Sequence, residues 1–552
     1  MPVINFSYSD LCSLIGEDIP RSVLEERIPL MGADMGDSEN STDDMSVEFF
    51  PDRPDLYSAE GIARALRSFF DISPGLQTYD TEESDIDVVI DENVKSLRPY
   101  FLCGAVLNLK ITEDFLKSMM DLQEKLHLTI GRKRNKLAIG IHDLDKVAPP
   151  FTYSLEDPKS VRFSPLGHTE VMNLFEILEK HEKGREYASV LKDAKKYPII
   201  RDSNGDVLSF PPIINGSLTT VTTDTKNVFV DVTGTDRKAV KGALDIVCTA
   251  LAERGGRIAS VRMEDSGDKF KSPDLTPIQK FVSVKECNKF LGTELDAKEM
   301  SHSLEKMGLG ARPDGKEKIS VTIPTTRTDI MHDVDIFEDV AIGYGFENFG
   351  GSYKLDNTVA SRLNETVFSD NIRNIMIGLG FTEVTTLTLS NEKDEFTKSG
   401  MPGTETVTIK NPITEDHTCL RVNLFPSLMR ILRHNRHRDL PQKIFEVGYV
   451  VKDMKNSLHL CAVTAASRTS FTESKSLAEA VLKELGCGYS IENCPYGTFV
   501  PGRGASVVID GENAGVFGEV SPEVIAEFGI NHPIIMFELN LDNQISKSAS
   551  MF

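Results

Sequence analysis

The stretch Asn227-Val228-Phe229-Val230-Asp231-Val232-Thr233-Gly234-Thr235-Asp236 decides how the middle of the chain is read. Its apolar run, 228–232, reads as a strand that enters a small polar turn. Residues 238–253 then carry a helical pattern, so strand, turn and helix follow one another in a mixed α/β order. By the period of two, Asp231 and Thr233 share one face of the strand, and polar groups at a strand end are well placed to line a pocket. Two readings stay open on these residues alone. Thr235 or Asp236 can simply cap the helix, which is ordinary turn chemistry. Alternatively, Asp231 and Thr233 belong to a binding site. Upstream, Ser209-Phe210-Pro211-Pro212-Ile213-Ile214-Asn215-Gly216 forms a stiff turn followed by an extended segment.

Working outward, 101–109 and 136–141 read as strands, and 113–126 and 170–178 as helices. These place a mixed α/β domain at 93–270, with a loop or boundary at 264–268. Ahead of it, 1–92 reads as an N-terminal α/β domain. It holds a strand at 2–6, a helix at 8–14, an acidic loop at 34–44 and a helix begun by Ser58. Ser58 is a good N-cap, and Glu60 suits the positive helix end. Residues 73–92 are acidic, contain Pro74 and Gly75, and read as a surface linker. Behind it, 271–350 carries helices at 284–291 and 297–307, a turn at Pro313-Asp314-Gly315, a strand at 319–323 and a helix at 334–343. That succession is winged-helix-like. Residues 355–552 alternate strands and helices at short gaps, as an antiparallel sheet with flanking helices does. The expected fold class is therefore multidomain α+β.

Length and composition agree with several cores. The 552 residues correspond to roughly three to five domains at about 100–200 residues each. A net charge of -23 argues against a surface coated with nucleic acid, though a local basic patch can still meet phosphate. The eight cysteines, at 12, 103, 248, 287, 419, 461, 487 and 494, form no CxxC pair, so buried free thiols in a reducing compartment are expected. Met1-Pro2-Val3-Ile4-Asn5 is unlike a secretory signal, and no apolar run approaches the length of a membrane span. The expected place is the cytoplasm, away from membranes.

The sharpest local feature is acidic. In Thr328-Asp329-Ile330-Met331-His332-Asp333-Val334-Asp335-Ile336-Phe337-Glu338-Asp339-Val340-Ala341, Asp335, Glu338 and Asp339 stand at i, i+3 and i+4. On a helix they share a face, with Asp329 just before it. Clustered carboxylates suit Mg²⁺ better than zinc. The plainer reading is an acidic helix start favoured by the helix dipole. Two basic stretches stand against the acidic background: Gly131-Arg132-Lys133-Arg134-Asn135-Lys136, and Arg430, Arg433, His434, Arg436, His437, Arg438 and Lys443. Either could meet phosphate, the first more readily RNA, while the second could equally be the polar face of a helix at a subunit contact.

Several ordered motifs together resemble the beta chain of phenylalanine–tRNA ligase of the archaeal/eukaryotic type. Phe49-Phe50-Pro51-Asp52-Arg53-Pro54-Asp55-Leu56-Tyr57 looks like its N-terminal signature. Tyr197-Pro198-Ile199-Ile200-Arg201-Asp202-Ser203, the Ser209 turn and the Asp231 strand resemble its editing domain. Pro324-Thr325-Thr326-Arg327-Thr328-Asp329 with the acidic helix resembles its winged-helix-like module, and Lys443-Ile444-Phe445-Glu446-Val447-Gly448 its catalytic-like domain. The resemblance implies a ligase joining L-phenylalanine to tRNA(Phe) with ATP. It implies an alpha chain partner in an (αβ)₂ tetramer. It also implies a Mg²⁺ site at Asp329, Asp335, Glu338 and Asp339, and an editing pocket around Ser209, Asp231 and Thr233 that hydrolyses mischarged Tyr-tRNA(Phe). An apolar phenylalanine site rejects an added hydroxyl only about a hundredfold, so a second hydrolytic sieve is useful. Class II ligases carry a glycine-rich segment ending in Arg near the C terminus. Here the stretch is Gly515-Val516-Phe517-Gly518-Glu519-Val520, without that arginine. The last domain is thus expected to be a class II synthetase-like sheet lacking catalytic motifs, with adenylate chemistry in the alpha chain. Two other functions remain open at this point: a Mg²⁺-dependent phosphoryl-transfer or nuclease enzyme built on the acidic cluster, and a pure scaffold subunit.

Overall fold

The computed structural model describes residues 2–36, 43–351 and 359–548. Part of the expected acidic loop, 37–42, and the start of the last expected domain, 355–358, lie outside them. The chain divides into two compact units, Met1–Tyr353 and Lys354–Phe552.

The first unit is organised by a ten-stranded sheet. Its path runs Ile214–Asn215, Val207–Phe210, Tyr197–Arg201, Phe151–Glu156, Thr81–Ile90, Arg257–Asp265, Tyr100–Leu107, Val228–Gly234 and Leu137–Asp143, with Asp268–Ser272 hairpinned onto Arg257–Asp265. The strand Val228–Gly234 lies between Tyr100–Leu107 and the edge strand Leu137–Asp143 and is fully buried. Its even-numbered residues, Val228, Val230 and Val232, pack with Val240, Ala243 and Leu244 of the helix Arg237–Glu253. Phe229 faces the other way, into a cluster with Phe101, Cys103 and Phe151. Asp236 caps the helix by accepting from Ala239 N, so the cap reading of that residue holds.

One expectation fails here. The stretch Thr81–Ile90 lies in the segment read as a linker and assigned to residues 1–92, yet it is a strand paired in parallel with both Arg257–Asp265 and Phe151–Glu156. Ile86, Val88 and Ile90 alternate inward, and the intervening acids face solvent, where Arg257 meets Glu82 and Arg262 meets Asp87. The acidic residues that hid the strand are its outer face.

Ahead of the sheet, Val3–Ser7, Ala33–Met35 and Asp44–Phe49 form a small antiparallel sheet, and Ser58 caps the helix Ala59–Phe69 by accepting from Gly61 N. Behind it, the helices Val284–Leu291, Ala297–Lys306 and Asp333–Tyr344 pack on the three strands Ile278–Ser283, Lys318–Ile323 and Gly310–Asp314.

The second unit holds a seven-stranded sheet, ordered Thr382–Glu383, Gln442–Lys452, Lys455–Ala465, Ile534–Asn540, Glu512–Val520, Phe499–Ile509 and Ser490–Asn493. Every pair is antiparallel except the first, which is parallel. Alternation along Lys455–Ala465 serves two faces. Cys461 and Val463 pack under the helix Phe425–His434, while Leu460 and Ala462 pack under the helices Asn364–Gly378 and Phe471–Glu484. Among the described residues no helix is long and apolar enough to cross a membrane. Among the described residues no disulfide joins the cysteines, and all of them but Cys487 are buried.

Candidate active site and acidic helix

The strand Val228–Gly234 carries the candidate chemistry. Its register sets Asp231 opposite Gly140 on one neighbour and opposite Cys103 on the other. His142 is two residues from Gly140, so it stands on the same face as Asp231. Its Nε2 lies 2.7 Å from Asp231 Oδ2, and its Nδ1 lies 2.8 Å from Thr219 Oγ1. Both His142 and Asp231 are buried. Gly140 makes this pairing possible: a Cβ there would run into the Asp231 carboxylate and lie 2.7 Å from His142 Nε2.

A cavity of about 570 Å³ opens beside the pair. That volume falls within the usual range of small-ligand sites. Ser209, Asn215, Thr219, Gly140 and Asp231 supply its polar side, and Leu116, Met120, Ile139 and Val221 its apolar side. Ser209 Oγ donates to Asn215 Oδ1 at 3.1 Å.

Of the three expected pocket residues, the structure brings Ser209 and Asp231 to this cavity. Thr233 is held elsewhere and is not among its lining residues. Arg98 Nη2 donates to the Thr233 carbonyl at 2.9 Å, and Arg98 Nε to its Oγ1 at 3.4 Å. Burial pushes the Arg98 guanidinium down to about 10, against the pull of Tyr153 and Asp231. Sequence pattern does not single out His142, Thr219 or Gly140. The signal for two of them is a glycine and a histidine two residues apart at the end of the apolar run 137–141, in a strand that continues to Asp143.

The acidic quartet is arranged differently from the expected metal centre. Arg327 Nη2 lies 2.7 Å from Asp329 Oδ2 and 2.8 Å from Asp339 Oδ2. Burial opposes the charge on Arg327, but Asp339 and Asp329 outweigh it and raise its pKa. Asp335 Oδ2 accepts from Met331 N at 2.7 Å and His332 N at 2.6 Å, so it caps the helix Asp333–Tyr344. Burial works against ionisation of Asp335, and the two backbone donors outweigh it and lower its pKa. Glu338 is exposed. Among the described residues no three His, Cys, Asp or Glu side chains converge as a metal set. In this arrangement the four residues do not fit one Mg²⁺ centre. The helical spacing is right, but a buried guanidinium already neutralises two of the carboxylates and backbone amides engage a third.

Comparison with known proteins agrees with this modular plan. A B3/4 domain family model matches residues 104–249, a tRNA synthetase B5 domain model 281–346, and a phenylalanyl tRNA synthetase beta chain CLM domain model 354–541. These define a subunit of the aminoacyl-tRNA synthetase class. The phenylalanine–tRNA ligase beta subunit of Methanothrix thermoacetophila is 45% identical over 541 residues, covering 98% of this chain and 100% of that one. That of Methanosarcina acetivorans is 43% identical over 549 residues, covering 99% and 100%. An N-terminal fragment of the Pyrococcus horikoshii phenylalanyl-tRNA synthetase beta subunit, 43% identical, aligns with a TM-score of 0.60 over 62% of this chain and 100% of the fragment. The chain belongs to the phenylalanine–tRNA ligase beta subunit family.

Proposed function

We propose that this chain serves a cytoplasmic phenylalanine–tRNA ligase by binding tRNA(Phe), assembling with an alpha chain as an (αβ)₂ tetramer, and hydrolysing tyrosine from mischarged Tyr-tRNA(Phe). The observation that carries the hydrolytic part is the buried His142–Asp231 pair at the wall of the Ser209 cavity. The cavity offers apolar surface for an aromatic ring and polar groups for a hydroxyl. Asp231 holds the attacking water and takes its proton. The water oxygen bonds to the ester carbonyl carbon, the ester bond to the ribose oxygen breaks, and the proton passes to that oxygen. His142 fixes the Asp231 carboxylate from behind. No covalent nucleophile is required.

Adenylate formation belongs, in this reading, to the alpha chain, and ATP with its Mg²⁺ goes there. Support comes from the sheet of the second unit, where charged groups are paired with one another. Arg421 is buried against Glu446 at 2.9 Å, and Glu538 accepts from Leu424 N and Phe425 N while lying 2.7 Å from His459 Nδ1. None of these is left free to handle a nucleotide.

The test is tyrosine release from pre-made Tyr-tRNA(Phe) by the assembled ligase and by its Asp231→Ala variant. The variant should lose about a hundredfold or more in rate; unchanged release removes Asp231 from the chemistry. In parallel, the chain without its partner should not exchange pyrophosphate into ATP.

A further inference from the structure

The turn after the helix Glu113–Leu128 has an unusual backbone. Arg132, Lys133 and Arg134 take φ values of 47°, 53° and 62° in succession, a left-handed run with no glycine in it. Side chains disfavour that region, and such strain persists only where surrounding structure enforces it. Here the enforcement is visible. Arg134 Nη1 donates to the Ile213 carbonyl at 2.8 Å, its Nη2 to Glu124 at 3.2 Å, and its guanidinium lies 4.4 Å from the centre of the Tyr187 ring. Lys136 N donates to the Gly131 carbonyl at 2.9 Å, closing the turn. From beneath, Arg98 Nη1 donates to the carbonyls of Arg134 and Asn135.

Pinned this way, the turn is fixed to the wall of the Ser209–Asp231 cavity, which Arg134 and Ile213 both line. Its cations divide into two kinds. Arg134 is tied into the wall, and Lys136 is paired with Asp236 at 3.0 Å. Arg132 and Lys133 are exposed, and among the described residues neither side chain has an ion-pair or hydrogen-bond partner. In a chain of net charge -23, two adjacent unpaired cations on an enforced turn call for an anion.

We infer that the 131–136 turn is a phosphate clamp, in which Arg132 and Lys133 hold the phosphodiester backbone of the RNA strand whose terminal aminoacyl ester enters the cavity. This rests on the hydrolytic reading above and adds the recognition element it lacks. The contact is to backbone and carries no base preference. Its strength falls with salt, because each neutralised phosphate releases condensed counterions.

The experiment is equilibrium binding of a fluorescent single-stranded ACCA oligonucleotide bearing 3′-amide-linked tyrosine to the full-length chain, across a salt series. Arg132→Ala/Lys133→Ala should weaken binding about tenfold at low salt and reduce the log–log salt slope by about 1.4, two contacts at about 0.7 each. The charge-conserving exchange Arg132→Lys/Lys133→Arg should restore both. Unchanged affinity and slope in the alanine variant, or no binding by the natural chain, overturns the clamp. The amide probe is not hydrolysed, so the result decides the clamp independently of whether the cavity proves hydrolytic.

Discussion

Nε2 of His142 lies 2.7 Å from Oδ2 of Asp231, across two strands whose register places Gly140 directly opposite Asp231. With Thr219 on the other ring nitrogen, the imidazole is held at both ends. His142 therefore fixes where the carboxylate points. His142→Ala should lower the single-turnover rate of tyrosine release about a hundredfold. The natural rate in that variant would show that Asp231 needs no such support.

Gly140→Ala tests the same geometry from the opposite side. The added methyl meets the Asp231 carboxylate and the His142 ring. Overpacking of this kind costs about 1–3 kcal/mol, so the chain should still fold. Tyrosine release should fall about a hundredfold, as expected for loss of one aligned acid–base group. Rapid quench assays and a thermal melt on one preparation separate the two effects.

The acidic helix gives a stability prediction. Arg327 is buried with Asp339 and also engages Asp329. Arg327→Met leaves buried carboxylate charge without its partner. Breaking a buried pair from one side costs about 3–5 kcal/mol. The denaturant midpoint of the first unit should drop accordingly, whereas replacing the exposed Glu338 by Gln should leave it nearly unchanged.

Acid should weaken the same unit through His127. Its Nε2 accepts from Ile139 N at 2.7 Å, so the ring proton sits on Nδ1, towards Glu124. Burial pushes His127 down from 6.5 to about 4. Between those values the unfolded chain binds more protons than the folded one. Stability is therefore full above about pH 6.5 and declines as pH falls to about 4, by roughly 3 kcal/mol at 1.36 kcal/mol per pH unit. Melts from pH 7.5 to 4.5 should show the decline, and His127→Gln should flatten it.

Much of this fold is legible in local pattern. The apolar run over 228–232 and the helical pattern over 238–253 give both elements to within two residues of their ends, and the period of two puts Asp231 and Thr233 on one face. The helix Val284–Leu291 is readable to the residue. What local pattern conceals is partnership. Thr81–Ile90 looks like an acidic linker until Arg257, Arg262 and Lys271 come from a distant hairpin to pair its acids. Asp231 and Thr233 look equivalent until Arg98, 135 residues away in sequence, takes Thr233. The acidic helix shows the converse. The i, i+3, i+4 spacing is correct, but Arg327 folding back onto Asp339 changes what those carboxylates do. Spacing gives a shared face; long-range pairing decides what the face meets.

The Ser209–Asp231 cavity should hydrolyse the tyrosyl ester and spare the phenylalanyl one. The most direct measurement compares amino-acid release from Tyr-tRNA(Phe) and Phe-tRNA(Phe) by the assembled ligase under single-turnover conditions. A polar site that recognises the phenol should favour the tyrosyl ester by at least about a hundredfold. Equal release of the two amino acids, or faster release of phenylalanine, would contradict the account.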